Sequence, residues 1–217
     1  LAAIKEREGS EPESDERKWL EHQMANQADL VFAFTDDEAK NLDSIFGISS
    51  HRVHVAAGGV DLSLFHPRDK EKSRARLGID QDENVVAFVG RPEPFKGPDV
   101  LIKAAAEMPN REHLRIVLVG GSEAEHSFEW LRLLAAEAGI ADRVSWFNAV
   151  PQSEIVDFYA ASDIVAVPSF HESFGLSALE AMACGRPVVA SAVGALPTLV
   201  IEGETGCLVP SHAPTDL

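Results

Sequence analysis

Two stretches of the 217-residue chain combine charge and glycine in a way that suits a phosphorylated ligand. The first, Gly90-Arg91-Pro92-Glu93-Pro94-Phe95-Lys96-Gly97, lies between an apolar run and a helical pattern. Two cations so close together on a loop can converge on one doubly charged group, Arg91 as a planar fork and Lys96 as a point charge. A diphosphate is the ligand this suggests; the competing reading is two solvated loop cations. A Walker loop is excluded, because Gly-Lys-Ser/Thr does not occur and the glycines are misplaced.

The second stretch runs from Pro168 to Gly185 and holds Glu172, Phe174, Gly175, Leu176, Ser177 and Glu180. Gly175 lets backbone approach a ligand closely, and a helix opening at Gly175 to Ser177 presents N–H groups and a dipole that attract phosphate. Glu172 precedes that helix, and Glu180 falls about 7 Å along it from Gly175 at 1.5 Å per residue. Carboxylates beside an anion site are repelled by it unless they accept hydrogen bonds from hydroxyls. That places a sugar at Glu172 and a ribose at Glu180. The alternative is a pair of helix-flanking charges, one favoured by the dipole and one solvated.

Other candidates carry less. His171 reads as a loop residue that orients Glu172, and the remaining histidines lack ligand spacing. Gly120-Gly121-Ser122 reads either as backbone that a donor sugar approaches or as a tight turn. Phe170 and Phe174 read as core. Cys184 and Cys207 are too few for a disulfide framework and are expected to be reduced packing residues.

The elements that must position these loops follow from periodicity. Helices are predicted near 14–28, from Asp36 to Phe46, and as one short helix in the polar stretch 68–83, with strands near Ala28 to Phe34 and Arg52 to Ala57. From Asn84 the rhythm is regular. Apolar runs at 85–89, 116–119, 144–147, 164–167 and 188–190 alternate with helices near 98–107, 128–138, 153–160 and 176–184. Strands apolar on both faces that alternate with helices imply a doubly wound parallel sheet, with ligands beyond the carboxyl ends of its strands. No G-x-G-x-x-G follows a strand, which argues against a dinucleotide-dependent dehydrogenase.

Composition narrows the partners. With 45% hydrophobic and 25% charged residues the chain is ordinary globular protein, and 35 acidic against 19 basic side chains give a formal charge of -16. Such a surface repels nucleic acid and anionic lipid alike. No apolar run approaches the roughly 18 residues of a membrane span, so a soluble, cytoplasmic protein is expected. The opening Leu1 and the closing Pro214-Thr215-Asp216-Leu217, which reads like a helix start, predict a fragment cut at both ends.

Glu172 and Glu180, as E-x7-E within Glu-Ser-Phe-Gly-Leu-Ser-Ala-Leu-Glu-Ala-Met-Ala-Cys-Gly-Arg-Pro-Val-Val-Ala, resemble the signature of retaining glycosyltransferases of family 4, which have the two-domain GT-B fold. Gly90-Arg91 with Phe95-Lys96-Gly97 is similar to that family's phosphate loop. Gly194, Pro197 and Gly203 to Gly206 match its C-terminal turns. The resemblance implies an α/β protein of two Rossmann-like domains. Residues 1–66 would be the end of an incomplete N-terminal acceptor domain, 67–83 the linker, and 84–217 a donor domain lacking its last helices.

It further implies transfer of a hexose or N-acetylhexosamine from a UDP-sugar to a small hydroxylated acceptor, most like the branch that acts on inositol phosphate. Arg91 and Lys96 would hold the diphosphate, Glu172 a sugar hydroxyl, Glu180 the ribose, and backbone near Val150 the uracil. Phe174, Gly175, Leu176 and Ser177 would complete the donor site, with Arg91, Lys96 and Glu172 as the catalytic set, and Arg17 would meet an acceptor phosphate. No cofactor or metal is implied: the family's peripheral magnesium position maps near Tyr159 and Ser162, and Arg186 stands where a smaller residue is usual. The family's glycine-rich loop and histidine segment are expected before Leu1. A homodimer stays open. So do a sucrose-phosphate-synthase-like or polysaccharide or lipid transferase, and a non-catalytic nucleotide-sugar-binding module.

Overall fold

The computed structural model describes residues 14–122 and 126–217. The first helix, α1 (Asp15–Gln27), starts where Ser14 Oγ accepts the Arg17 N–H and acidic Asp15 and Glu16 meet the helix dipole. Its weak apolar spacing buries none of its residues, and Trp19 and Met24 are exposed. Strand β1 (Val31–Ala33) is shorter than expected and pairs in parallel with β2 (Val53–Val55). Between them α2 (Asp36–Phe46) is capped by Thr35 and closed by Gly47 in the left-handed region. Leu42, Phe46, Ala33 and Ile48 form the small core under this pair of strands.

The polar stretch read as a connection does more than connect. It forms α3 (Lys70–Leu77), capped by Asp69 and ended by Gly78. Arg74 is 1% exposed; its guanidinium donates to the carbonyls of Ala161 and Gln81 and to Asp163 Oδ2 at 2.9, 2.8 and 2.8 Å. Ser73 and Arg76 both donate to Asp157. Phe65 and Ile79, flanking this stretch, are buried in the main core. Ser73 and Arg74 are therefore packing groups whose hydrogen bonds are satisfied inside the fold.

The rest is one six-stranded parallel sheet in the order β5-β4-β3-β6-β7-β8. Its strands are β3 (Asn84–Val89), β4 (Leu114–Gly121), β5 (Val144–Asn148), β6 (Ile164–Val167), β7 (Val188–Ser191) and β8 (Gly206–Val209). The helices between them are α4 (Pro98–Glu107), α5 (Glu129–Glu137), α6 (Gln152–Ala161), α7 (Leu176–Ala183) and the short α8 (Leu196–Leu199). Alternate residues of one strand face opposite ways, so Val117 and Val119 of β4 enter one core cluster while Ile116 and Leu118 enter the other. That is the two-sided burial the apolar runs predicted. β8 was not expected as a strand, and Pro214 to Asp216 make a turn rather than a helix start. The chain reverses its direction of winding between β3 and β6, the point at which sheets of this kind bind ligands.

Candidate functional site

A cleft of about 630 Å³ opens at that reversal, between the carboxyl ends of β3 and β6. Gly90 and Ser169 stand at its strand ends, Lys96 and Glu172 on one wall, and Tyr159 and Glu180 on another. Gly97 explains how the two loops meet: at φ +69°, a Cβ there would lie 2.1 Å from the Pro168 carbonyl oxygen. Phe170 N–H donates to the Phe95 carbonyl at 2.7 Å and joins the same loops. This close approach brings Lys96 Nζ to 2.7 Å from Glu172 Oε2.

Glu172 is more constrained than a flanking charge. Its Oε1 accepts the Gly175 N–H at 3.2 Å, ahead of α7, and its backbone is held by the next loop. A Cβ on Gly194 would fall 1.6 Å from the Glu172 carbonyl oxygen. Gly175 itself has φ +90° and brings no side chain to the leading N–H groups of α7, and Leu176 and Ser177 line the cleft. Phe174 is 6% exposed and meets Phe34 in a tilted ring contact, 5.2 Å between centroids. A Cβ on Gly58 would meet its ring at 2.7 Å, so Phe174 is a contact between the first 66 residues and the cleft wall.

Glu180 lies deeper. Burial raises its pKa, against the pull of hydrogen bonds from Tyr159 and Gln152. The Tyr159 hydroxyl donates to Oε2 at 2.8 Å. Burial, reinforced by the Glu180 charge, pushes Tyr159 well above the usual phenol value and the buried Cys184 thiol up to about 11. Tyr159 lines the cleft, a position that the sequence alone does not assign to the donor site. A hydroxyl within the apolar helical run Phe158-Tyr159-Ala160-Ala161 is the available signal.

Several expected residues stand elsewhere. Arg91 is turned out, with its side chain 68% exposed and Nη1 2.5 Å from Glu93 Oε1, and it is not among the residues lining the cleft. Val150 packs against the main core outside the cleft, and Arg17 pairs with Glu21 on α1. His171 is buried, its ring nitrogen 3.4 Å from Ser173 Oγ. Gly120 and Gly121 serve packing, since Cβ atoms there would meet the Gly90 carbonyl at 2.3 Å and the Phe128 ring at 2.1 Å. Cys207 corrects the reading of both cysteines as packing residues: it is exposed on β8, an edge strand, whereas Cys184 is buried. Among the described residues, no helix is long and apolar enough to cross a membrane.

A doubly wound parallel sheet with its cleft at the winding reversal and a second, smaller parallel sheet closing on it is the architecture of GT-B glycosyltransferases. The chain belongs to the glycosyl transferases group 1 family, whose model matches residues 69–217. It is 45% identical along its whole length to the D-inositol 3-phosphate glycosyltransferase of Mycobacteroides abscessus, and covers 49% of that protein. The Corynebacterium glutamicum protein of the same name is 44% identical over 99% of the chain and is covered to 54%.

Solved structures agree. The sucrose-phosphate synthase of Thermosynechococcus elongatus superposes with a TM-score of 0.88 at 34% identity, covering all of this chain and 54% of its own. Anabaena Alr3699/HepE, solved in complex with UDP-glucose, gives 0.83 at 28% identity over 94% of this chain and 56% of its own. The chain thus spans about half the length of the relatives it matches.

Proposed function

We propose that the chain supplies the donor side of a retaining glycosyltransferase that moves a hexose or N-acetylhexosamine from a UDP-sugar to a small phosphorylated acceptor such as inositol phosphate. The observation that carries this is the convergence of Lys96, the start of α7, Glu172 and Glu180 on one cleft. Phosphate is attracted by the cation and the helix start, and hydroxyls by the two carboxylates. In this reading the sugar sits at Glu172, the diphosphate at Lys96 and α7, and the ribose at Glu180. The relatives' names and the UDP-glucose complex of Alr3699/HepE support that donor class.

Departure of UDP develops charge on the β-phosphate, where Lys96 and the α7 dipole stabilise it. Arg91 joins them by exchanging Glu93 for phosphate, and backbone near Val150 receives the base. The leaving phosphate assists deprotonation of an acceptor hydroxyl attacking from the same face, so no protein nucleophile is invoked. Arg17 contributes to the acceptor phosphate in this scheme. We assign residues 1–66 to the acceptor domain, 67–83 to the connection and 84–217 to the donor domain. We assign no metal or cofactor to the reaction, and the cytoplasm as its compartment.

Calorimetry with UDP tests the order. Glu180→Ala should weaken free UDP, while Glu172→Ala should leave UDP nearly unchanged and weaken the sugar-bearing donor. Equal effects of both substitutions on UDP would refute the placement. A second reading is favoured by the 0.88 superposition on sucrose-phosphate synthase: a sugar phosphate as acceptor. Product analysis of the full-length protein with inositol phosphate and with fructose phosphate separates the two.

A further inference from the structure

We propose that Tyr159 is a positioning residue for the nucleotide, holding the Glu180 carboxylate in the orientation that receives the ribose hydroxyls. The inference rests on the assignment of Glu180 to the ribose. Tyr159 comes from α6 and Glu180 from α7, so the 2.8 Å hydrogen bond ties together two helices that both face the cleft. Tyr159 has no exposed surface and its ring is fixed by the core, meeting Phe65 edge-on at 6.1 Å between centroids. Glu180, by contrast, has a flexible stem at the cleft wall, and an anchored oxygen removes rotamers that a ligand would otherwise have to select.

The chemistry of the pair runs one way. A phenol in this environment stays protonated across the working range, so it can only donate to the carboxylate. A carboxylate offers about four acceptor positions. Tyr159 and Gln152 occupy two of them and leave at least two for a diol. These two donors also favour the ionised form of Glu180, which accepts hydrogen bonds better than the neutral acid, whereas burial opposes it. The other groups that bear on this corner are Cys184, whose thiol remains neutral, and Arg68 and Arg186, which act on that thiol.

The test compares UDP with 2′,3′-dideoxy-UDP on the full-length protein, by calorimetry, for the native sequence, Tyr159→Phe and Glu180→Gln. The native protein should prefer UDP by about tenfold to a hundredfold, the effect of hydrogen bonds to a charged group. Tyr159→Phe should lower UDP affinity about three- to tenfold and leave the dideoxy nucleotide unchanged, thereby shrinking the preference. Equal weakening of both nucleotides would reduce Tyr159 to a packing residue and overturn the proposal, as would no change in either. If Glu180→Gln retains the full preference for UDP, the ribose assignment itself falls and takes the proposal with it. If Glu180→Gln abolishes the preference and Tyr159→Phe does not, only the role of Tyr159 is refuted.

Discussion

Two cation–carboxylate pairs stand at opposite ends of β6 and illustrate what enclosure does to the same chemistry. At the amino end Asp163 accepts from Arg74, from Lys70 and from the Val85 N–H at 2.7 Å, while Arg74 spends its other N–H groups on backbone carbonyls. At the carboxyl end Lys96 meets Glu172 at 2.7 Å on the wall of the cleft. The difference lies in the cations, since the Arg74 side chain is 1% exposed and that of Lys96 24%, whereas their carboxylate partners Asp163 and Glu172 are 33% and 11% exposed. A cation enclosed in this way, its donors shared between carbonyls and a carboxylate, holds elements together, and breaking its pair leaves a charge stranded. A pair at a cleft can exchange partners. In this sheet the enclosed cation stands at one end of a strand and the cleft at the other.

Substitutions should separate the two ends. The largest effect is expected from Lys96→Ala, a loss of roughly 10² to 10³ in turnover of the full-length protein, as for removal of a preorganised charge at a leaving group. Its melting temperature should move by only about 2 °C. Turnover like that of the native protein would end the diphosphate assignment.

Asp163→Asn should do the reverse, with UDP affinity retained and stability lowered. A fully enclosed pair costs about 3–5 kcal/mol to break; with the Asp163 side chain 33% exposed, about 2 kcal/mol is expected. That corresponds to roughly 4–8 °C in a chain of this size. A melting curve unchanged by Asp163→Asn would dissolve the contrast.

Arg91 should fall between the two. It starts from a solvent-facing pair with Glu93 and must turn to reach the cleft, so Arg91→Ala is expected to cost only about tenfold in turnover. Losses matching those of Lys96→Ala would mean that the guanidinium is held in the cleft during catalysis.

Acid sharpens the comparison further. Burial works to raise the Asp163 pKa, but Lys70, the Val85 N–H and Arg74 together hold it below the usual 3.8. A carboxyl with a lower pKa folded than unfolded contributes stability that is present above about pH 4 and lost as pH falls through the folded value. The melting difference between the native protein and Asp163→Asn should therefore narrow below pH 4. Glu180 has the opposite sign. Its folded pKa lies above 4.5, so its ionisation lowers stability as pH rises through that range, and Glu180→Gln should remove this limb of the curve.

The large sheet was legible in the sequence because most of its strands are short apolar runs that alternate with helical patterns, and some helices carry end signals. Pro98, for example, opens α4 where a proline costs no hydrogen bond. β8 escaped notice because Gly206-Cys207-Leu208-Val209 is a short edge strand with no fully buried residue. Lys96, Glu172, Gly175 and Glu180 were legible as a group, since charge and glycine occur at loop positions after apolar runs. Which way Arg91 turns was not. Glu93 lies two residues away, and spacing cannot decide between it and the cleft. Tyr159 was hidden for a different reason: its bond to Glu180 joins α6 to α7, and no local pattern reports a contact between separate helices.

The position of Lys96 on the cleft wall also bears on how fast an anion can arrive. The chain carries a formal charge of -16, and the cation in the cleft is already opposed by Glu172. On the proposed reading a nucleotide diphosphate would diffuse toward a repulsive surface and meet its compensating charge only after entry. Salt should speed this encounter rather than slow it, because the screening length contracts from about 30 Å at 0.01 M to about 8 Å at 0.15 M. Departure, governed by contacts inside the cleft, should be nearly indifferent to salt. Stopped-flow measurement of UDP binding across that range should show an association rate that climbs a fewfold. A rate that falls with salt would mean that a local positive field, reaching well outside the cleft, guides the nucleotide in.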